Sequence, residues 1–321
     1  MTGASDREAG LSGVEVDVDD LIGLRFRAQQ LALGIARRAR QSMTGSHGSR
    51  FRGRGMEFAE SRIYQPGDDV RSIDWRVTAR TGRPHTKLFQ EERERPVILL
   101  VDFGASMFFG TRRAFKSVLA AEIAALIAWA AVHGGDRIGA LVAGRSAHME
   151  LKPVAGRRGV LRVLRALATL SRRSADDEEQ QITLSGSLMR ARHVARPGSL
   201  LVIISDFYGL DADAEGQLTR MRQHNDMLAC WVHDQLEREP PPPGRYAVSD
   251  GWQTATLDTI NKRSRQRYTA SFGARLEQLR DTFGRLAIPL LPVATGEDAA
   301  EALRRGVPVE ARTKALLATR P

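Results

Sequence analysis

Hydrophobic and polar positions alternate in regular blocks from residue 96 to about residue 310. Unbroken apolar runs at 97–102 and 200–205 are typical of parallel strands that are buried on both faces. Between such runs the apolar spacing becomes helical. The pattern predicts strands at 97–102, 137–143, 147–152, 200–205, 227–232 and 288–293, helices at 112–133, 157–172, 185–194, 212–224, 259–285 and 297–305, and a hairpin at 245–257. We therefore expect an α/β fold with a doubly wound, mostly parallel sheet and helices on both faces.

The amino-terminal third has a different pattern. Residues 1–20 carry six acidic residues and one basic residue, which predicts a flexible acidic tail. Apolar residues then recur at helical spacing from Leu21 to about Ser42. We divide the chain into the tail 1–20, a segment 21–95 with this helix and a small β-containing part rich in Arg and Asp, the main domain 96–310, and a tail 311–321.

Composition narrows the class of protein. The chain has 321 residues, of which 42% are hydrophobic, so it is long enough to bury a large core. Its formal charge of +10 comes from arginines spread beside many carboxylates, which is a weak signal for nucleic-acid binding. The single cysteine, Cys230, favours a reducing, cytoplasmic setting. The longest apolar run, Leu119 to Val132, contains Glu122 and is shorter than a bilayer span, so we expect no transmembrane segment.

Two carboxylates follow the two most apolar strands. Asp102 ends the first run and is followed by Ser106, while Asp206 comes directly after the second. The carboxyl ends of parallel strands form the ligand-binding edge of an open α/β sheet, so these side chains can meet in one crevice. Oxygen donors of this kind suit magnesium or manganese better than zinc. The alternative is that Asp102 is a satisfied strand-end carboxylate and that Ser106 caps a turn.

A second cluster precedes the main domain. Closely spaced Arg and Asp residues surround the turn Pro66-Gly67 and can form an ion-pair lattice that holds two aromatic residues against the main domain. The rival interpretation is an active site built on paired carboxylates, but nearby arginines would lower the carboxylate pKa values and weaken a general acid. The residues of this cluster are Glu57, Arg62, Tyr64, Asp68, Asp69, Arg71, Asp74, Trp75 and Arg80.

These stretches together resemble the bacterial domain-of-unknown-function family 58 (DUF58). The string from Arg62 through Pro66-Gly67-Asp68-Asp69 to Asp74-Trp75 is the most specific, and the loops at 102–107 and 205–207 also match. The resemblance implies a von Willebrand factor A-like domain. It also implies a MoxR-type AAA+ ATPase as the partner, because family members tend to be encoded beside such ATPases.

The resemblance further implies a metal-ion-dependent adhesion site, in which Asp-x-Ser-x-Ser, a Thr and a later Asp bind magnesium and leave one position for a partner's carboxylate. Asp102, Ser106 and Asp206 match this set. Gly104 stands where the first Ser is expected, and Thr183, the nearest Thr, is displaced by one residue. The implied magnesium site is therefore degenerate.

The function that we expect from the sequence is a non-enzymatic protein-interaction module that works with a MoxR-type ATPase in complex assembly or maturation. Two alternatives stay open. A metal-dependent hydrolase would use Asp102 and Asp206 to activate water. A nucleic-acid or anionic-membrane binder would use the basic stretch from Arg25 to Arg54, which holds eight arginines and no acidic residue, and the long helix that carries Lys262, Arg263, Arg265 and Arg267.

Overall fold

The computed structural model describes residues 13–29, 31, 56–65, 68–91, 95–172, 182–249 and 254–306, with the backbone alone for 56–60, 88–91 and 249. The chain forms two units. The larger comprises Met1–Ser42 and Arg95–Pro321, and the smaller comprises Met43–Glu94. Each unit is described by itself below.

The larger unit begins with a short helix, α1, at Val18–Gly23. Its start is fixed by Asp17, whose carboxylate accepts a hydrogen bond from the backbone N–H of Asp19. Val16 and Leu21 are buried in the core, so the expected acidic tail over residues 1–20 does not extend past residue 15. The predicted helix over 21–42 also differs, because α1 ends at Gly23 and helix resumes at 25–29. The rest of that prediction lies outside the described residues.

The smaller unit is built on an antiparallel pair of strands. Strand β1 (Met56–Ile63) pairs with β2 (His85–Glu91), and the register shifts between Phe58 and Glu60. Helix α2 (Trp75–Thr81) lies between the two strands in the chain. The expectation grouped the amino-terminal helix with this segment, whereas α1 belongs to the larger unit.

The sheet of the larger unit has six strands: β3 (Pro96–Asp102), β4 (Arg137–Ala143), β5 (His148–Ala155), β6 (Leu200–Ser205), β7 (Asp226–His233) and β10 (Leu290–Ala294). Their order across the sheet is β10-β7-β6-β3-β4-β5. All neighbours are parallel except β4 and β5, which are antiparallel. The chain first runs outward from β3 through β4 to β5 and then returns to β6, so the strand order reverses between β3 and β6. In doubly wound sheets this reversal opens a crevice at the carboxyl ends of the strands.

Helices cover both faces of the sheet, because apolar side chains of β3 point alternately to one face and to the other. Val97, Leu99 and Val101 point into one core, and Ile98 and Leu100 point into the other. The first core is covered by α3 (Lys116–His133), α4 (Gly156–Leu170), α9 (Ala299–Gly306) and α1. The second is covered by α5 (Leu184–Val194), α6 (Ala212–Arg222) and α8 (Lys262–Arg285). The short helix α7 (Gln235–Arg238) and the hairpin of β8 (Arg245–Ser249) and β9 (Thr254–Asp258) precede α8. The predicted α/β fold is thus confirmed.

Helix α3 is buried on all sides. In the part of the chain that the structure describes, it is the one helix long and apolar enough to cross a membrane, and 89% of it is buried inside the protein. A helix that is apolar all round is also what the core of a large α/β domain requires. Two of its buried residues, Lys116 and Glu122, are charged, and each is paired.

Candidate functional site

The crevice between β3 and β6 is closed by a hydrogen bond between the last residues of the two strands. The hydroxyl of Ser205 donates to Asp102 Oδ2 at 2.6 Å. The other carboxylate oxygen of Asp102 accepts from the backbone N–H of Gly104 at 2.8 Å. Parallel pairing of Val101 with Ile204 places Asp102 beside Ser205. Both oxygens of this carboxylate are therefore held by donors within the protein.

A buried lysine holds the second carboxylate. Lys116, the first residue of α3, is 1% exposed, and its ammonium lies 2.8 Å from Asp206 Oδ2 and 2.7 Å from Glu237 Oε1. Burial alone would lower the pKa of this lysine, but Asp206 and Glu237 outweigh burial and raise it above its ordinary value. The side chain is therefore a cation throughout the physiological range of pH.

The carboxylates of the crevice influence one another. The pKa of Asp102 is raised to about 6, first by burial and then by the charge of Asp206, while the hydrogen bond from Ser205 and the charge of Lys116 act in the opposite direction. The Asp102 carboxylate therefore gains a proton at a mildly acidic pH at which an exposed aspartate would stay ionised.

A strained turn presents an aromatic side chain next to Lys116 and the carboxylates of the crevice. Phe207 has φ 57°, in the left-handed region that a phenylalanine rarely adopts, and its buried ring packs edge-on against Phe283. The turn leaves the next residue, Tyr208, 60% exposed. Its ring lies 5.2 Å from the Lys116 ammonium and 5.7 Å from the Arg275 guanidinium, distances at which cations are attracted to aromatic faces.

A third strand also ends in a carboxylate. Asp234 follows β7, is fully buried, and accepts hydrogen bonds from the hydroxyls of Thr111 and Thr295 and from the backbone N–H of Leu236. Burial acts to raise its pKa, but these donors lower it below the ordinary value. Asp234 also forms a capping box with Glu237, which fixes the Glu237 side chain near Lys116.

The other residues of the expected metal set lie differently. Ser106 sits in a 3₁₀ turn at Ala105–Met107, where its side chain is exposed and makes no hydrogen bond to Asp102 in the described part of the chain. Thr183 caps α5 by accepting from the backbone N–H of Gly186. At Gly104 a Cβ atom would lie 3.1 Å from Asp102 Oδ1, so a side chain there would crowd this carboxylate.

The donors of the crevice do not fit a divalent cation in this arrangement. Magnesium takes about six oxygen ligands at roughly 2.0–2.1 Å. Here Asp206 and Glu237 already bind an ammonium, and Asp102 binds Ser205 and Gly104. Across the described residues no group of three His, Cys, Asp or Glu side chains is placed to hold a metal. Magnesium binding at this crevice stays a prediction from the family resemblance.

In the smaller unit the predicted Arg and Asp residues act mainly as caps and turn contacts. Arg62 pairs with Asp68 at 2.7 Å, and Asp68 also accepts from the backbone N–H of Gln65, which lowers its pKa. Asp74 caps α2 by accepting from the backbone N–H of Val77. Asp69 likewise accepts from the N–H of Arg71, Tyr64 is partly buried, and Trp75 and Arg80 are exposed. The side chain of Glu57 lies outside the described residues, and the packing of Tyr64 and Trp75 on the main domain stays a prediction.

Several residues of the crevice were missed by the sequence reasoning. Asp234, Glu237 and Arg275 are far from Asp102 in the chain, and Lys116 lies 14 residues after it. Each of the four could be assigned locally to a helix end or a solvated face. One signal was available for Lys116. A lysine in the first turn of a helix opposes the helix dipole, so its presence at the start of a predominantly apolar helix points to nearby carboxylates.

The arginines of α8 are also informative for the basic-binder alternative. Arg265 donates to the carbonyls of Thr259 and Ile260, Arg275 donates to the carbonyl of Phe207, and Arg285 pairs with Glu215. These three cations therefore bind groups of the protein itself, whereas Lys262, Arg263 and Arg267 of the predicted basic helix are exposed.

Comparisons with known proteins agree with this picture at the level of the family. The family described as "Protein of unknown function DUF58" matches residues 60–278. The "Uncharacterized protein Rv1480" of Mycobacterium tuberculosis is 32% identical over 283 residues, which cover 88% of each chain, and "Uncharacterized protein Mb1516" of Mycobacterium bovis matches equally.

Three solved structures are also similar. An aerotolerance-related membrane protein of Bacteroides fragilis has a TM-score of 0.43 and 13% identity, over 66% of this chain and 96% of that one. BatB of Bacteroides thetaiotaomicron has a TM-score of 0.35 and 12% identity, over 60% and 98%. A von Willebrand factor type A protein of Catenulispora acidiphila has a TM-score of 0.37 and 11% identity, over 68% and 42%.

The strand order, with β3 at its centre, β5 antiparallel and Asp102 and Asp206 at the switch point, defines a doubly wound α/β domain with a mostly parallel sheet, the class of fold that the sequence resemblance implies. The sequence matches identify the family. The chain belongs to the DUF58 family.

Proposed function

We propose that this protein is a non-enzymatic interaction module that docks a protein partner on the carboxyl edge of its sheet. The observation that carries the proposal is the charge cluster at the switch point, whose carboxylates are bound by donors of the protein itself beneath exposed aromatic side chains. Such an edge is rigid, and it is suited to binding rather than to turnover.

The hydrolase alternative finds less support in the same contacts. A general base or a metal-activated water needs an accessible carboxylate. Asp206 is 2% exposed and paired with Lys116, and Asp102 accepts two hydrogen bonds from within the protein. The two carboxylates that a hydrolase would use are thus occupied by contacts that stabilise the crevice.

The rim of the crevice has the composition of a binding surface. Phe109 and Tyr208 are exposed, large and aromatic, and Arg112 is an exposed cation in the loop that carries Phe109. Aromatic residues and arginine are enriched at the energetic centres of protein interfaces. A partner segment that combines an apolar side chain with a carboxylate would complement this rim.

We propose a MoxR-type AAA+ ATPase as the partner, as the family resemblance implies, and complex assembly or maturation as the process. We place the module in the cytoplasm. The buried, unpaired thiol of Cys230, whose pKa burial raises to about 12, is compatible with a reducing compartment.

The test is capture of the MoxR-type ATPase of the same organism by the tagged full-length chain. We expect the double variant Phe109→Ala/Tyr208→Ala to weaken capture by about tenfold or more, since aromatic anchors at interface centres contribute at this level. The matched control is Met189→Ala, which removes an exposed apolar side chain on α5. Equal capture by all three proteins, or loss with the control alone, would overturn the docking site.

A further inference from the structure

The cation in the crevice is a lysine side chain of the protein itself. Lys116 reaches it from α3, and its ammonium is bound by Asp206 from the loop after β6 and by Glu237 from α7 after β7. One side chain thus links three segments that meet at the switch point. The backbone N–H of Lys116 donates to the carbonyl of Phe109, so the rim loop is tied to the same residue.

The position of the ammonium matches that of a bound ion. Two carboxylate oxygens from different loops converge on Nζ at 2.7 and 2.8 Å, the ring of Tyr208 faces it at 5.2 Å, and the side chain is 1% exposed. A divalent cation that used the same oxygens would lie within the space of the ammonium and would be repelled by it. The two cations therefore exclude each other.

We propose that the Lys116 ammonium takes the place of the divalent metal in this domain, so that the crevice is assembled and competent to bind without magnesium. The lysine stem fixes the cation to a buried helix, which makes the site permanent rather than dependent on metal supply. The statement about partner binding rests on the proposed function, whereas the statement about the cation stands on the geometry of the crevice alone.

The direct consequence is that removing the ammonium exposes a potential metal site. In Lys116→Ala the carboxylates of Asp206 and Glu237 lose their counter-ion, with Asp102 close enough to influence them. The repulsion among these carboxylates should destabilise the variant, and a divalent cation can then relieve it. In Lys116→Met the stem still fills the space, so the charge is lost but no room for a metal is created.

The experiment measures thermal unfolding of the full chain with EDTA, magnesium and manganese, together with calorimetric titration of manganese alone. We expect the wild type to unfold at the same temperature in all three conditions and to give no saturable binding. Lys116→Ala should unfold at a lower temperature in EDTA and regain about 3 °C or more with manganese at ten times its dissociation constant. Lys116→Met should show the loss without the recovery.

The control is Lys152→Ala, which removes an exposed lysine from β5 and should leave every measurement unchanged. Saturable binding of manganese to the wild type that Asp102→Ala abolishes would overturn the proposal, whether or not Lys116→Ala folds. A wild type that unfolds at a higher temperature in magnesium than in EDTA would overturn it equally. None of these measurements involves the ATPase, so the docking proposal can fail without affecting them.

Discussion

Ser205 donates a 2.6 Å hydrogen bond to Asp102 across the switch point, and this contact joins the ends of β3 and β6. The same hydroxyl accepts from the backbone N–H of Phe207 at 2.9 Å. One buried serine therefore fixes the first carboxylate of the crevice and the strained turn that carries Tyr208. Neighbouring parallel strands, each ending in a polar residue, provide the geometry.

The first prediction concerns this serine. Ser205→Ala leaves the Asp102 carboxylate with one donor fewer and the N–H of Phe207 without its acceptor, so we expect a loss of stability of about 1–3 kcal/mol. Urea unfolding measures it. Ser271→Ala, which removes an exposed hydroxyl from the middle of α8 that donates only to the Tyr268 carbonyl of the same helix, is the matched control and should change stability by less than about 0.5 kcal/mol. Equal effects of the two variants would contradict the role assigned to Ser205.

The second prediction concerns pH. The pKa of Asp102 is raised to about 6 in the folded protein, whereas an aspartate in the unfolded chain titrates near its model value of 3.8. Between these values the folded state binds more protons than the unfolded state, so the contribution of Asp102 to stability is present below about pH 4 and is lost as the pH rises through 6.

Asp102→Asn removes this titration. Between pH 4 and pH 7 the wild type should lose about 2 kcal/mol more stability than the variant. Urea unfolding at several pH values measures the difference, which isolates Asp102 from groups that titrate in both proteins. Parallel pH profiles for the two proteins would show that the carboxylate is not perturbed in this way.

The third prediction concerns the buried carboxylate in the core helix. Glu122 has a pKa raised by burial, which Arg113 opposes by donating a 2.7 Å hydrogen bond to Oε1. Arg113→Ala should cost about 2 kcal/mol, because it leaves a buried charge without its partner. The double variant Arg113→Ala/Glu122→Gln should recover part of that loss, since the unpaired charge is gone. Chemical denaturation of both variants tests this, and no recovery would contradict a charge-based cause.

The fourth prediction concerns the smaller unit. Asp74 accepts from the N–H of Val77 at the start of α2 and from the Ser61 hydroxyl, so Asp74→Ala should loosen this helix. We expect amide exchange over residues 75–82 to become about fivefold faster, the effect of losing a typical helix cap. Asp213→Ala is the control, because Asp213 lies inside the first turn of α6 and Asp211 caps that helix. An unchanged exchange rate over 75–82 would show that the helix does not depend on the cap.

The sequence predicted the architecture because its strongest signals are local. The runs at 97–102 and 200–205 are apolar enough to be buried on both faces, and each is followed or ended by an Asp, so the two carboxylates of the crevice could be named before the fold was known. Long-range pairing has no such local signal. Lys116 comes 14 positions after Asp102 and 90 before Asp206, and Glu237 lies a further 31 along the chain.

The lack of a local signal for long-range contacts also explains why the structure differs from the prediction at the amino terminus. The acidic residues in 1–20 predict a flexible tail, yet Val16 is buried in the core of the larger unit and Asp17 caps α1. The acidic residues of this segment indicate only which of its sides faces solvent. The attachment of this segment to the larger unit depends on Val16 and Leu21, because burial of these apolar side chains against distant residues stabilises the folded state. A hydrogen bond from the Trp129 indole to the carbonyl of Leu21 completes the attachment.

We propose that a partner docks on the carboxyl edge of the sheet and that Lys116, not a metal, supplies the cation there. Amide exchange of the full chain with and without the MoxR-type ATPase, in EDTA and again in magnesium, tests both proposals together. We expect slower exchange over residues 104–112 and 207–211 on binding, to the same extent in both buffers. Protection confined to other surfaces, or protection of these loops in magnesium alone, would contradict it.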